Sequence, residues 1–279
     1  MIDVDLDHIG LATTDLDRAR VVFERLGFLL TPKSFHAGPV GADGAYGPWG
    51  TGNHCAMFKR GYFELIGITD AALYHDHLIE RLDRYAGLHL IALGSADGHG
   101  LARALDARID GVATPYDFTR DVPFGDGAKE GSFRIVQLDG EAFPDGDMFF
   151  IQHLSRDVLW QPDLLSHPNG VTGLAGVTLC VADVAASRDR IAALLDGGAE
   201  GDCFCLAAGW VELIDQTTLG SRYPGVTPAA LPWVAAVEFT VADIAALEDL
   251  LKGNGVPVTQ GADGGLWVEA EGAVVVFRE

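Results

Sequence analysis

The chain repeats itself, and that repeat constrains the fold more than any single motif does. Residues 6–14, LDHIGLATT, are apolar and small and read as a strand, and Asp15 follows where a helix N-cap belongs. Leu16, Ala19, Val22, Phe23 and Leu26 then recur at helical spacing, and Gly27 supplies the stop. FLLTPKSF, NHCAMFKRG and YFELIGI give three further strand-like runs punctuated by Gly and Pro. The unit is strand, helix and three strands. It returns at LAGVTLCVADVAASRDRIAALL (174–195), which places Gly176 where His8 stands and Asp183 where Asp15 stands. GWVELIDQ (209–216) matches GYFELIGI (61–68) and sets Glu212 opposite Glu64. Fainter copies begin at residues 88 and 233, with Asp97 and Asp243 at the strand-to-helix position. A period of this kind decides the fold before local propensity does.

Four βαβββ modules predict an α+β fold. Modules one and two occupy 1–155 and modules three and four 173–279, each pair forming a domain. The turn-rich segment 156–172 is the linker. A length of 279 residues with 48% hydrophobic content is enough for each domain to bury a core. Trp160, His167 and the His-Pro-Asn-Gly turn of the linker are candidates to fold back across a pocket and touch a ligand.

The charge balance narrows the partners. Forty acidic against 19 basic residues argue against nucleic acid and anionic membranes, which need clustered Lys and Arg. No apolar run reaches the roughly 18 residues of a membrane span, and the acidic start does not resemble a signal peptide, so a cytoplasmic location is expected. The cysteines, Cys55, Cys180, Cys203 and Cys205, lack zinc spacing and read as small buried thiols in a reducing compartment.

The opening DHIGLATTDLDRARVVFERLGF resembles the first repeat of glyoxalase-like proteins of the vicinal-oxygen-chelate superfamily. WGTGNHCAMFKRGYFELIGI, FFIQHLSRDVLWQPD and HPNGVTGLAGVTLCVAD are similar to a glyoxalase-like branch of it. The resemblance implies that paired modules curl into cups, giving two glyoxalase-type domains. It also implies that any metal is held by first and last strands. The superfamily covers isomerases, lyases, dioxygenases and metal-free drug-sequestering proteins, so function must rest on the site.

Position by position, the resemblance makes His8 and Glu64 the ligands of module one. An imidazole and a carboxylate suit Fe, Mn, Ni, Co or Zn. Module two departs from the pattern: Leu90 stands at the place of His8 and Phe149 at the place of Glu64. His153 shares strand parity with Phe149, so His8, Glu64 and His153 form the candidate triad. His89 or His54 are the alternatives for completing it. Modules three and four offer Gly176, Glu212, Ala236 and Val275, a lone carboxylate. Glu64 is also the candidate proton shuttle for an enediolate route.

The Gly-rich stretch 36–53 reads as a covering loop with Trp49 as a stacking lid. Arg134 and Gln137 are candidates to orient an anionic or carbonyl group. His36, His75, His77 and His99 read as solvated. Two functions compete: a divalent-metal-dependent lyase, isomerase or dioxygenase acting on a small oxygenated molecule, and a metal-free binding or sequestering protein. Either acts as a monomer or homodimer.

Overall fold

Each of the four repeated aspartates caps a helix. The computed structural model describes residues 3–40, 44–195 and 199–279. Within them Asp15, Asp97, Asp183 and Asp243 accept the backbone N–H of Arg18, Gly100, Ala186 and Ala246 at 2.9–3.0 Å. Each bond satisfies a donor that a helix start leaves open.

Module one comprises β1 (Asp5–Thr13), α1 (Leu16–Arg25), β2 (Ser34–Val40), β3 (Ala45–Met57) and β4 (Tyr62–Ile68), and helix α2 (Asp76–Leu82) leads out of it. Module two comprises β5 (Gly87–Gly94), α3 (Gly98–Asp106), β6 (Tyr116–Phe124), β7 (Gly127–Gln137) and β8 (Asp147–His153). The one-turn helix α4 (Arg156–Leu159) opens the connection. Module three comprises β9 (Val171–Cys180), α5 (Val184–Leu195), β10 (Ala199–Glu200), β11 (Cys203–Cys205) and β12 (Trp210–Ile214), followed by α6 (Gln216–Arg222). Module four comprises β13 (Trp233–Val241), α7 (Ile244–Gly253), β14 (Thr259–Gln260), β15 (Leu266–Ala270) and β16 (Ala273–Arg278).

In every module the first strand runs parallel to the last: β1 with β4, β5 with β8, β9 with β12, and β13 with β16. Modules join through antiparallel first strands, β1 with β5 and β9 with β13. The first half therefore reads β2-β3-β4-β1-β5-β8-β7-β6 and curls until its two ends meet. There Arg120 Nη1 donates to Ser34 Oγ at 2.7 Å, and Ser34 Oγ donates to the Asp121 carbonyl at 2.9 Å. The result is an open cup. The second half repeats the strand order as β10-β11-β12-β9-β13-β16-β15-β14, and the ladders of the two halves touch at Val234 and Leu88.

The apolar core runs through both halves. Phe28 lies 5.1 Å from Phe239 and 6.2 Å from Phe277, and Phe63 lies 5.6 Å from Phe239, between ring centroids. All are buried. Aromatic pairs at these separations add about 0.5–1.5 kcal/mol each beyond their burial.

Several local expectations change. The strand expected at FLLTPKSF begins only at Ser34, with residues 28–33 outside any ladder. The stretch 36–53 is largely the β2–β3 hairpin rather than a covering loop, with Ala37 opposite Pro48 and Pro39 opposite Tyr46. Proline lacks an N–H, and an edge strand such as β2 tolerates it. Residues 41–43 of that stretch lie outside the described residues. The connection 156–172 straps module one, and its Leu159, Gln161 and Leu164 line a small cavity beside Tyr62 and Arg120. Trp160 Nε1 donates to the Phe58 carbonyl at 2.9 Å. His167 Nε2 donates to Met57 O at 2.9 Å, while its Nδ1 accepts the Leu29 N–H at 3.1 Å. Of the cysteines, Cys55 and Cys180 are buried as expected, but Cys203 is half-buried and Cys205 exposed. No helix among the described residues is long and apolar enough to cross a membrane.

Candidate functional site

Strand alternation sends every second side chain into the first cup. Tyr62, Glu64 and Ile66 enter from β4, and Phe133, Ile135 and Gln137 from β7. Tyr116, Phe118 and Arg120 enter from β6, Phe149 and Ile151 from β8, His8 and Ala12 from β1, and Leu90 from β5. With Trp49, Tyr74, and His77, Leu78 and Arg81 of α2 they line a cavity of about 560 Å³. That is the size of a small-molecule site.

The ladder registers show how the modules correspond. His8 faces Tyr62 across β1–β4 and Gly10 faces Glu64. Leu90 faces Asp147 and Ala92 faces Phe149 in module two, and Gly176 faces Trp210 and Thr178 faces Glu212 in module three. Leu90 and Phe149 thus stand where His8 and Glu64 stand. In module four Ala236 faces Val274 and Glu238 faces Val276, so the counterpart of Glu64 is Val276, not Val275. Strand parity puts the two on opposite faces.

A bulge completes the polar centre. The β1–β5 register shifts between Leu6 and His8, leaving Asp7 as the extra residue of β1. Asp7 Oδ1 lies 2.7 Å from His8 Nδ1, and both Asp7 oxygens lie 3.0 Å from His153 Nε2. Burial pushes the Asp7 carboxyl up, but the hydrogen bonds from His153 and His8 outweigh it and hold it well below the usual carboxylate range. An ionised Asp7 accepts, so His8 donates to it through Nδ1 and turns its Nε2 to the cavity. There the Tyr62 hydroxyl lies at 3.4 Å and Glu64 Oε2 at 3.9 Å. Asn53 Nδ2 donates to the other Glu64 oxygen. Burial, with the Glu64 and Asp7 carboxylates nearby, raises the Tyr62 phenol well above its usual value, so it remains a donor.

The donor set does not fit a divalent metal. Two donors about 2.1 Å from one ion stand roughly 3.0–3.4 Å apart at octahedral or tetrahedral angles. His8 Nε2 and Glu64 Oε2 are 3.9 Å apart. His153 Nε2 is engaged by Asp7, and its Nδ1 is buried without a partner. Leu90 and Phe149 supply no donor at the remaining two positions. Among the described residues no group of three His, Cys, Asp or Glu is arranged to hold an ion.

The other sequence candidates divide. Trp49 and Gln137 line the cavity, with Trp49 fixed by a 3.2 Å bond from Nε1 to the Pro39 carbonyl. Arg134 has the opposite strand parity and is paired with Asp117 at 2.7 Å. His54 likewise has the parity opposite to Asn53 and bonds the Thr31 carbonyl at 2.7 Å. His89 is the extra residue at the second β1–β5 register shift, but its ring stacks on Tyr85 and its Nε2 donates to the Tyr85 carbonyl at 2.7 Å. Trp160 and His167 are outside the cavity lining; Trp160 backs His153 with ring centroids 4.8 Å apart.

Two histidines expected in solvent line the cavity. His36 Nδ1 lies 3.0 Å from Thr51 Oγ1, and His77 Nε2 lies 3.5 Å from the same hydroxyl. Burial, aided by Arg120, pushes His36 down to about 3, and burial, aided by Arg81, pushes His77 down to about 4. Both imidazoles are neutral.

The second cup is filled. A Cβ on Gly176 would come within 2.1 Å of the Trp210 ring. Glu212 is closed by Arg222, with Nη2 at 2.9 Å, and by the Thr178 hydroxyl at 3.2 Å. Leu219 and Tyr223, at α6 and its C-cap, pack with Cys180, Ala236, Val274 and Val276.

A family model described as a glyoxalase-like domain matches residues 6–195. No curated protein matches the sequence. Among solved structures, a hypothetical protein from Staphylococcus aureus is similar at 15% identity, with 99% of each chain covered and a TM-score of 0.64. A variant of 4-hydroxymandelate synthase from Streptomyces coelicolor is similar at 16% identity, covering 99% of this chain and 92% of that one, with a TM-score of 0.60. At these identities the likeness is one of fold.

Proposed function

The chain belongs to the glyoxalase-like domain family of the vicinal-oxygen-chelate superfamily, and from that premise we propose that its first cup binds a small oxygenated molecule on which His8 moves a proton. The Asp7–His8 contact of 2.7 Å carries this reading, because it fixes the tautomer and aims a basic nitrogen at the cavity. His8 Nε2 takes a proton from a carbon next to a carbonyl, the electron pair of that C–H bond passes to the carbonyl oxygen as an enolate, and His8 returns the proton. Tyr62, held protonated, donates to the oxygen on which charge develops. The reaction class is isomerisation or epimerisation.

The test is hydrogen–deuterium exchange in D2O, followed by NMR, over a panel of 2-oxo and 2-hydroxy acids and their amides. A substrate should lose its C–H signal with wild-type protein and do so about 10²–10⁴ times more slowly with His8→Ala. Exchange indifferent to His8 would overturn the assignment.

A second reading keeps the divalent metal. What favours it is that His8 Nε2 and Glu64 face one cavity, although the set lacks a third donor. Elemental mass spectrometry of untagged wild type and Glu64→Ala separates the two. Near-stoichiometric metal that disappears in the variant supports a metal-dependent lyase or dioxygenase. Absence of both metal and exchange turns the reading to sequestration.

A further inference from the structure

Two arginines line the first cavity, and they differ in what neutralises them. Arg81 is paired with Asp147 at 2.7 Å, and that carboxylate also takes Arg84 at 2.9 Å. Arg120 has no carboxylate within 4 Å among the described residues. Its Nη1 donates to the Ser34 hydroxyl, and its guanidinium carbon lies 5.6 Å from the centre of the Phe133 ring. A guanidinium has five N–H donors in a planar fork shaped for an oxyanion, and the serine uses one of them.

The surroundings add little negative charge at this point. Three arginine charges stand on or beside the cavity against Asp147, Glu64 and Asp7, but Asp147 is taken by Arg81 and Arg84, Asp7 by His8 and His153, and Glu64 is more than 4 Å from Arg120. His36 and His77 are neutral. In a chain of formal charge −21, a guanidinium without a carboxylate partner beside the aromatic wall of the cup is a local reversal of sign. The same wall (Trp49, Phe118, Phe133 and Phe149) suits a flat apolar body.

We propose that the ligand of the cup is a small apolar carboxylate whose carboxylate is held by Arg120. This rests on the reading of the cup as a small-molecule site and names the class of molecule it takes. The Ser34 bond fixes the fork in place before the ligand arrives, so little side-chain freedom is lost on binding. Glu64 repels the carboxylate from its own vicinity and accepts a hydroxyl or other donor instead. The two groups thereby orient the ligand, with its anionic group at Arg120 and its other end toward Glu64.

The probe pair is 1-naphthylacetate and its neutral isostere 1-naphthylacetamide, titrated against the full chain by calorimetry. Wild type should prefer the acetate by roughly tenfold or more. Arg120→Gln should abolish the preference with the acetamide affinity within about twofold of wild type, and Arg120→Lys should retain part of it. Thermal melts establish that the variants are folded, and the wild-type comparison does not depend on them. Equal binding of the two probes by wild type overturns the carboxylate assignment and leaves the cup as a small-molecule site. Failure of both probes, and of the smaller pair benzoate and benzamide, overturns the site reading as well.

Discussion

His153 Nε2 lies 3.0 Å from each carboxylate oxygen of Asp7, and the same carboxylate lies 2.7 Å from His8 Nδ1. One buried acid thus joins an imidazole of module one to an imidazole of module two. His153 stands where a metal-binding reading wants a ligand, but its bonding nitrogen faces a carboxylate instead. Its contribution is to hold Asp7, and through Asp7 to hold His8.

Asp7→Asn tests that chain of contacts. An amide oxygen can accept from one ring and its NH2 cannot accept from the other, so one imidazole N–H loses its partner. The expected cost in stability is about 1–3 kcal/mol. The wild-type stabilisation from Asp7 is complete above the unfolded carboxyl value of about 3.9 and is lost as pH falls below it, because the folded value is depressed. That pH dependence should vanish in the variant. Nitrogen-15 spectra should change from a fixed Nδ1–H tautomer of His8 to a mixture, and an unchanged tautomer would remove Asp7 from the proposed base.

What the sequence disclosed followed local chemistry. Each helix-capping aspartate needs only its own neighbours, so four of them could be read off the repeat. His8, Glu64, Leu90 and Phe149 then followed by counting. Asp7 could not be read, since a residue next to His8 in a regular strand faces away; the bulge that brings it round is set by β5, not by a local motif. His36 was hidden because a Gly- and Pro-rich hairpin resembles a loop, and His77 because it lies on the short helix α2, whose contact with the cavity no local motif sets. Arg120 had a legible signal: Tyr116, Phe118, Arg120 and Val122 alternate as an inner face should. Module four misled by one residue, enough to exchange Val276 for its neighbour on the opposite face.

His89, with His36 and His77, should make the protein acid-sensitive. Burial pushes it down to about 4, against the bond to the Tyr85 carbonyl that raises it, and it is only 1% exposed. Its neutral form is the folded one. Stability is therefore full above the unfolded value of about 6.5 and falls as pH drops toward 4, by up to about 1.4 kcal/mol per pH unit. Urea melts from pH 7 to 4.5 should show a shallower slope in His89→Gln. An identical slope would assign the acid sensitivity to other groups.

Phe239 links the halves. It packs against Phe28 and Phe63 of the first half and Phe277 of the second. Phe239→Ala should cost about 3–5 kcal/mol. The loss should appear in one unfolding transition seen equally by probes in both halves. Two separated transitions, with only the second half weakened, would mean that the halves are energetically independent despite the shared core.

The correspondence of modules one and two makes a constructive prediction. Leu90 occupies the register of His8, and Phe149 that of Glu64, on strands related by the antiparallel β1–β5 pairing. Leu90→His with Phe149→Glu would raise the donors at the four corresponding positions from two to four. Four such groups are enough for Zn²⁺ or Co²⁺ at about 2.0–2.2 Å after small rotamer changes. The double variant should be destabilised without metal, because it buries an imidazole and a carboxylate in place of two apolar side chains. Added Co²⁺ should restore its melting temperature and produce visible d–d absorption at one equivalent, while wild type takes up less than that. A folded double variant that binds no more cobalt than wild type would mean that the four registers do not converge on a common point. The Asp7–His8 pair would then owe nothing to a metal-site geometry shared by the two modules.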